Sequence, residues 1–191
     1  KETKTEEILN NNAQAKVNSD VTVTFTRTPN TYWYGNFVDD FGNVSGYSDA
    51  EKNRHKITNS NTLSVKLLKN EIGQTGGAIC DIEIQNATEY ILKYKIKFQD
   101  GFQWKKGGKL PGLGGGQVYA GGEDTSVGDG WSFRPVWHFY SGVNNNQPYF
   151  APYAYYVDQP GTYGDEFGKK FTIQDNAWYN IWIRIKMNTG T

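Results

Sequence analysis

The stretch EYILKYKIKF, residues 89–98, decides the fold. Its apolar side chains alternate with lysines, with Leu92, Tyr94, Ile96 and Phe98 in one set of positions and Lys93, Lys95 and Lys97 in the other. Successive side chains of a β-strand point to opposite faces, so this pattern predicts one buried face and one wet face. A strand of that kind belongs to an antiparallel sheet that is covered on one side only.

Similar patterns occur before and after this strand. We predict further strands in VTVTFT (21–26), NTLSVKLLK (61–69), GGAICDIEIQ (76–85), DGWSFRPVWHFY (129–140), PYFAPYAYYVD (148–158) and WYNIWIRIKM (178–187). Residues 38–56 are polar and turn-rich, and we expect a long loop there. Strands of about ten residues between turn clusters, with few helices, predict an all-β fold. We expect a β-jelly roll, a two-sheet antiparallel sandwich with a concave substrate groove.

Composition limits the classes of function. The chain has 191 residues, and we expect a polar N-terminal tether at 1–19 followed by a single domain at 20–191. Its 20 basic and 20 acidic residues cancel, whereas a nucleic-acid-binding protein usually carries a basic excess. Its one cysteine, Cys80, excludes an internal disulfide and a cysteine-based zinc site. No segment is long and apolar enough to span a bilayer, and we expect a secreted protein whose signal peptide has been removed.

A glycine-rich stretch surrounds a single lysine. In GGKLPGLGGG (107–116), Lys109 is the only charged side chain of a predicted loop. A Walker phosphate loop requires Ser or Thr after its lysine, whereas Leu110 and Pro111 follow here. A dinucleotide fingerprint requires a following helix, and none is predicted. A serine-hydrolase elbow, G-x-S-x-G, is missing as well. We therefore set nucleotide binding and serine hydrolysis aside.

Period-two alternation sorts the polar side chains of three predicted strands by face. The sets that share a face are Ser132, Arg134 and His138 in 129–140, Tyr153 and Tyr155 in 148–158, and Trp182, Arg184 and Lys186 in 178–187. Taken singly, each of these is more often a solvated or a packing residue. Together, their cations, hydroxyls and aromatic ring suit an extended acidic sugar chain, because cations pair with carboxylates and an indole stacks on a sugar ring.

Four segments in this order carry a resemblance to a known group of enzymes. They are GGKLPGLGGG, DGWSFRPVW, YAYYVDQPGTYGD and the late WIRIKMNTG. In these segments the chain resembles the β-jelly-roll polysaccharide lyases, namely family 20, which contains glucuronan lyases, and family 14, which contains alginate lyases. The resemblance runs from residue 21 to the end and is strongest from residue 98 onward. The segment DQPGTYGD (158–165) favours the glucuronan type.

The resemblance implies roles for particular residues. The motif lysine falls on Lys109, the serine and arginine of the S-x-R strand fall on Ser132 and Arg134, and the paired tyrosines fall on Tyr153 and Tyr155.

Two departures from the family pattern affect this assignment. An insertion at 141–148 could shift the tyrosine register by one and bring in Tyr156. These families also usually continue past KMNTG with further strands. We therefore expect either a trimmed domain that lacks its C-terminal strands or another chain that supplies the edge.

The implied activity is β-elimination in a β-1,4-linked polyuronate, with glucuronan favoured and alginate (polymannuronate) as the alternative. Lys109 and Arg134 would stabilise the enolate that develops beside the sugar carboxylate, with Ser132 as an added donor. One tyrosine of the pair would move the proton, with His138 as the alternative base. Further substrate-binding residues would be Trp182, Arg184 and Lys186. Cleavage would leave unsaturated uronate ends.

Other functions stay open at this stage. One is a non-catalytic carbohydrate-binding jelly-roll module that uses Trp and Tyr as stacking platforms, and another is a β-sandwich adhesion or matrix domain. A glycoside hydrolase would need two carboxylates at a defined separation. The available carboxylates lie in turns that look structural, namely Asp124, Asp129, Asp158, Asp165 and Glu166. By analogy with sugar-active jelly rolls, some of them are candidates for a structural calcium ion, whereas the elimination itself requires no cofactor.

Overall fold

The computed structural model describes residues 21–48 and 54–188. The chain divides into two compact units, one reaching Asn86 and one starting at Ala87, and each is described by itself. The predicted tether at 1–19 lies outside the described residues, and a single domain at 20–191 stays a prediction. Within the described ranges, no helix is long and apolar enough to cross a membrane.

The first unit contains two short helices and two pairs of short antiparallel strands. These elements are α1 (Tyr34–Phe41), β1 (Val44–Ser48), β2 (His55–Ile57), β3 (Leu63–Val65), α2 (Gly73–Gly76) and β4 (Ile79–Ile82). Strand β1 pairs with β4, and β2 pairs with β3. The buried residues that form its core are Tyr32, Phe37, Val44 and Ile57.

Two predictions for the first unit were wrong. Residues 21–26 form no strand, because Phe25 adopts a left-handed φ of 54° that turns its ring onto Tyr32, 5.7 Å away between centroids. Residues 38–56, predicted as a loop, contain the end of α1, all of β1 and the start of β2, while residues 49–53 lie outside the described residues. The polar Asp40 of α1 is satisfied by Arg27 and by the hydroxyl of Tyr32, each at 2.6 Å. Its polarity therefore did not indicate solvent exposure.

The second unit is built almost entirely of antiparallel strands. They are β5 (Glu89–Lys97), β6 (Lys106–Lys109), β7 (Leu113–Gly116), β8 (Gly130–Phe139), β9 (Tyr149–Tyr155), β10 (Asp165–Glu166), β11 (Phe171–Thr172) and β12 (Trp178–Lys186), with a short 3-10 turn at Asn144–Asn146. A six-stranded sheet runs β10-β9-β8-β6, with β7 also on β8 and β11 also on β9. Strands β5 and β12 form a separate pair.

An aromatic core fills the space between these two sheets. Its buried members are Phe98, Leu110, Trp137, Phe150 and Ile173, and its half-buried members from β5 and β12 are Tyr94, Ile96, Tyr179 and Ile181. The apolar positions of 89–98 therefore face inward and the lysines face outward, as predicted. The predicted all-β antiparallel sandwich is confirmed.

The glycine-rich stretch is not the predicted loop. Strands β6 and β7 both pair with β8, and only residues 110–112 connect them. A Cβ atom on Gly108 would collide with the indole of Trp137, and one on Gly112 would collide with the carbonyl oxygen of Phe133. The glycines allow the backbone to lie directly on β8, with Lys109 as the last residue of β6.

Candidate active site

Strand register brings the predicted site residues onto one sheet face. Lys109 lies opposite Val136, Arg134 opposite Tyr153, and Ser132 opposite Tyr155. Residues directly opposite each other on paired strands point to the same side of the sheet. This side is the one away from the aromatic core, so the predicted sorting of faces is confirmed.

The register also excludes the alternative tyrosine. Tyr156 follows the end of β9, and its hydroxyl donates a hydrogen bond of 3.1 Å to Oδ2 of Asp165. The insertion at 141–148 therefore does not shift β9, since the pairing of β8 with β9 is continuous from Ser132 to His138.

Lys109 and the two tyrosines form the centre of the site. The Nζ atom of Lys109 lies 5.5 Å from the ring centroid of Tyr153 and 5.6 Å from that of Tyr155. The two rings meet edge to face, with centroids 5.7 Å apart. Tyr155 is only 1% exposed, whereas Tyr153 is half-buried and Lys109 partly exposed. Lys109 and Tyr153 can therefore reach a bound ligand. Tyr155 is buried and packs against both of them from the protein side.

The two tyrosines differ in acidity. Burial raises the pKa of Tyr153 well above its ordinary value, and the hydrogen bond with Tyr155 raises it further. Burial alone would raise the pKa of Tyr155 too, but hydrogen bonds from Tyr153 and from the backbone of Gly164 and Gly122 lower it. The Gly122 N–H lies 3.1 Å from that hydroxyl oxygen. Tyr153 thus keeps its proton, and Tyr155 accepts hydrogen bonds.

The pKa of Lys109 is lowered. Burial is the main cause, and the positive charge of Arg134 adds to it, although Tyr155 and Glu123 act in the opposite direction. A lysine with a lowered pKa loses its proton at a lower pH than an ordinary lysine does. Its neutral amine can then accept a proton from a substrate.

Arg134 is held by a small hydrogen-bonded group. Its Nη2 donates to the carbonyl oxygen of Tyr119 at 2.6 Å and to Oγ of Ser132 at 3.0 Å. The Ser132 hydroxyl in turn donates to the Tyr119 carbonyl at 2.7 Å, and Ser132 is 1% exposed. Ser132 is therefore placed to position Arg134 rather than to contact a substrate, which corrects the predicted role as a substrate-binding donor.

His138 belongs to a second group on the same face. Its Nδ1 lies 2.7 Å from Oε2 of Glu166, whose other oxygen accepts a hydrogen bond from Lys170 at 2.9 Å. Burial would raise the pKa of Glu166, but the hydrogen bonds from Lys170 and His138 outweigh it and hold that pKa below its usual value. This pairing leaves Nε2 as the ring nitrogen of His138 that could take a proton, and the role of His138 as the alternative base stays a prediction.

The structure separates three predicted residues from this site. Trp182, Arg184 and Lys186 lie on β12, on the face opposite the core-facing Ile181. That face is the far side of the sandwich from the tyrosine pair. The predicted contact with the same bound sugar chain was therefore wrong, because alternation specifies a face of a strand but not which sheet the strand joins.

Two of the candidate calcium carboxylates, Asp124 and Asp129, are hydrogen-bonded to protein groups. Asp129 accepts a hydrogen bond from the hydroxyl of Tyr119, and Asp124 accepts one from the Ser126 N–H at 2.9 Å. In residues 21–48 and 54–188, no group of three or more His, Cys, Asp or Glu residues is placed to hold a metal ion. A structural calcium ion stays a prediction.

Two groups in the site had no signal in the sequence. The carbonyl of Tyr119 and the N–H of Gly122 are backbone atoms of the segment between β7 and β8. Any residue type offers these atoms, so only the fold could show that they hold Arg134 and Tyr155.

Comparison with known proteins bears on this arrangement. The family model described as Polysaccharide lyase 14 matches residues 56–191. The solved structure of alginate lyase Aly36B is 35% identical, with 87% of this chain and 68% of that chain covered and a TM-score of 0.77. A variant of that enzyme with one lysine and one methionine replaced by alanine, in complex with an alginate trisaccharide, is 34% identical, covers 89% and 70%, and has a TM-score of 0.80. A lysine and tyrosine variant in complex with an alginate tetrasaccharide is 34% identical, covers 87% and 68%, and has a TM-score of 0.78. No curated protein matches the chain.

Proposed function

The chain belongs to the polysaccharide lyase 14 family and is a lyase of polyuronates, and on that premise we propose that its substrate is alginate. The support is the likeness to an alginate lyase whose complexes hold alginate oligosaccharides. The expected preference for glucuronan finds no such support. In DQPGTYGD (158–165), which suggested it, a Cβ on Gly164 would lie 2.7 Å from the rings of both Tyr153 and Tyr155. The packing of the tyrosine pair is therefore a structural reason for that glycine, whichever uronate is bound.

The observation that carries the proposal is the meeting of Lys109, Arg134 and the tyrosine pair on one sheet face. β-Elimination removes the proton on C5 of a uronate, forms the C4=C5 double bond and breaks the bond from C4 to the glycosidic oxygen. The C5 proton is very weakly acidic while the neighbouring carboxylate keeps its charge. A fixed cation beside that carboxylate stabilises the enolate that develops. Arg134, held by Ser132 and Tyr119, supplies this charge.

Acid and base follow from the opposite pKa shifts of two neighbouring groups. Lys109, with its lowered pKa, takes the C5 proton as a neutral amine. Tyr153, with its raised pKa, stays protonated and gives its proton to the departing glycosidic oxygen. Solvent then restores the proton of Tyr153 and removes the one on Lys109. Without substrate the Tyr153 hydroxyl donates to Tyr155, and it exchanges this acceptor for the glycosidic oxygen when the sugar binds. Tyr155 is 1% exposed and does not touch the sugar.

The experiment is a comparison of polymannuronate, polyguluronate and polyglucuronate as substrates. The new double bond is conjugated with the carboxylate, so cleavage raises the far-ultraviolet absorbance. We expect the absorbance to rise with at least one alginate block and not with polyglucuronate. A rise with polyglucuronate alone would contradict the proposed substrate, and no rise with any of the three polymers would contradict lyase activity on these polyuronates altogether. The expected extracellular location stays part of the proposal.

A further inference from the structure

The outer face of the β5–β12 sheet carries a concentrated positive charge. Ten side chains point outward from it, and all ten are exposed: Glu89, Ile91, Lys93, Lys95, Lys97, Trp178, Asn180, Trp182, Arg184 and Lys186. Five of them are cations and one is a carboxylate, which gives this face a net charge of +4. The whole chain has a net charge of zero. We call these ten residues the basic face.

Two exposed tryptophans are set into the basic face. Trp178 is 54% exposed and Trp182 is 73% exposed. Each lies directly opposite a lysine, Lys97 and Lys93 respectively. The two lysine Nζ atoms lie 5.5 and 4.2 Å from the centroids of those indole rings. The face therefore repeats one unit, an indole beside an ammonium group.

The spacing of the two units fits an extended chain. Trp178 and Trp182 are four residues apart on one strand, which corresponds to about 13 Å. That distance is longer than one sugar ring, so both indoles can serve one polymer but not one monosaccharide. An indole stacks on the apolar face of a sugar, and an adjacent ammonium group pairs with the carboxylate of a uronate.

We propose that the basic face is a second, non-catalytic binding surface for the polyuronate chain. It lies on the opposite side of the sandwich from Lys109 and Tyr153, so the two surfaces do not form one groove. The identity of the polymer rests on the proposed function, whereas the acidic-polysaccharide class rests on the charge and the tryptophans of the face itself.

The surface has a kinetic consequence. A polymer held on the basic face raises the local concentration of its other segments around the catalytic face. A short oligosaccharide cannot occupy both surfaces, so its local concentration at the catalytic face is not raised. The basic face therefore lowers KM for long chains only and leaves kcat unchanged.

The test is the double variant Trp178→Ala/Trp182→Ala of the full chain. We expect its KM for polymeric alginate to rise roughly tenfold, with kcat and the kinetics on an alginate tetrasaccharide unchanged. Phe171→Ala is the matched control, because Phe171 is 54% exposed and has Lys169 Nζ 5.7 Å from its ring, but it lies on β11. An unchanged KM for the polymer, or an equal loss on the tetrasaccharide, would overturn the proposal.

A binding measurement separates this proposal from the proposed function. In native gels that contain polymeric alginate, polyglucuronate or DNA, retention of the protein does not depend on turnover. We expect retention by a polyuronate that the double variant loses and that Lys93→Gln/Lys97→Gln weakens. Retention and cleavage with polyglucuronate instead of alginate would reject the substrate and keep the surface. Retention by DNA as strong as by either polyuronate, and independent of the tryptophans, would reject the surface.

Discussion

At the scale of single residues, the two tyrosines of β9 have different environments although they are two positions apart. Tyr153 is half-buried with a raised pKa, and Tyr155 is 1% exposed with a lowered pKa.

We expect Tyr153→Phe to lower kcat by roughly 100-fold or more, because it removes the proton donor. Tyr155→Phe should lower kcat less but cost about 1–2 kcal/mol of stability, because it leaves the Gly122 N–H unpaired. Ultraviolet assays and thermal unfolding measure the two effects. Equal losses of kcat would contradict the assignment.

The role of Lys109 predicts a dependence on pH. Below the pKa of Lys109 its amine is protonated and cannot accept the C5 proton, so kcat/KM should rise as pH increases through that lowered pKa. It should fall again only where Tyr153 loses its proton, at a pH above the ordinary tyrosine range. Lys109→Arg separates the role of Lys109 as a base from its role as a cation, because arginine keeps the positive charge but stays protonated. We expect it to lose about 100-fold in kcat. Full activity in that variant would show that Lys109 acts through its charge alone.

Single residues also show what the sequence could reveal about the site. The family resemblance and the i, i+2 spacing predicted Tyr153 and Tyr155 on one face, and the strand register sets Tyr153 opposite Arg134 and Tyr155 opposite Ser132. Ser132 was predicted to contact the substrate because the alternation indicated which face of β8 it lies on. The alternation did not indicate that its side chain is buried. The hydrogen bonds to the Tyr119 carbonyl depend on how a distant loop folds back, which no local pattern encodes.

At the scale of elements, the long amphipathic strands were predictable and the short segments were not. Strands β5, β8, β9 and β12 carry a two-residue alternation over many positions, and the structure places them within one or two residues of the prediction at their starts. Helix α1 has one turn of aromatic spacing, Phe37 and Phe41, inside a polar sequence. The rings that contact Phe37 and Phe41 from outside the helix include Phe25, Tyr32 and Tyr47, which the pattern of the helix itself does not contain, so that pattern pointed to a loop.

The connection between β9 and β10 gives a prediction at the same scale. Gly164→Ala should reduce kcat strongly, because the new methyl group would push on the rings of Tyr153 and Tyr155, each 2.7 Å away. Gly161→Ala is the matched control from the same connection, since its nearest new contact is the carbonyl oxygen of Tyr163 at 3.9 Å. The measurement is kcat for both variants, together with their thermal unfolding midpoints. Equal kcat values in the two variants would contradict this view of the glycine.

At the scale of the whole molecule, the second unit depends on its aromatic core. The indole of Trp137 packs against Phe98 and Phe102, with centroids 5.4 and 6.1 Å away. We expect Trp137→Ala to lower the free energy of unfolding by about 3–5 kcal/mol. Trp182→Ala is the matched control, because that side chain is 73% exposed and should change stability by less than about 1 kcal/mol. Chemical denaturation measures both, and similar losses would contradict the sandwich described here.

The hairpin between β8 and β9 has a practical consequence for this enzyme. Its 3-10 turn at Asn144–Asn146 lies outside the paired segment that runs from Ser132 to His138 and from Tyr149 to Tyr155. Adding or deleting residues in the turn leaves that pairing in place, whereas one extra residue inside β9 would invert every following side chain and send a tyrosine into the core. The turn is thus the natural place to graft a peptide tag or open the chain for circular permutation, and the strand beside it is not.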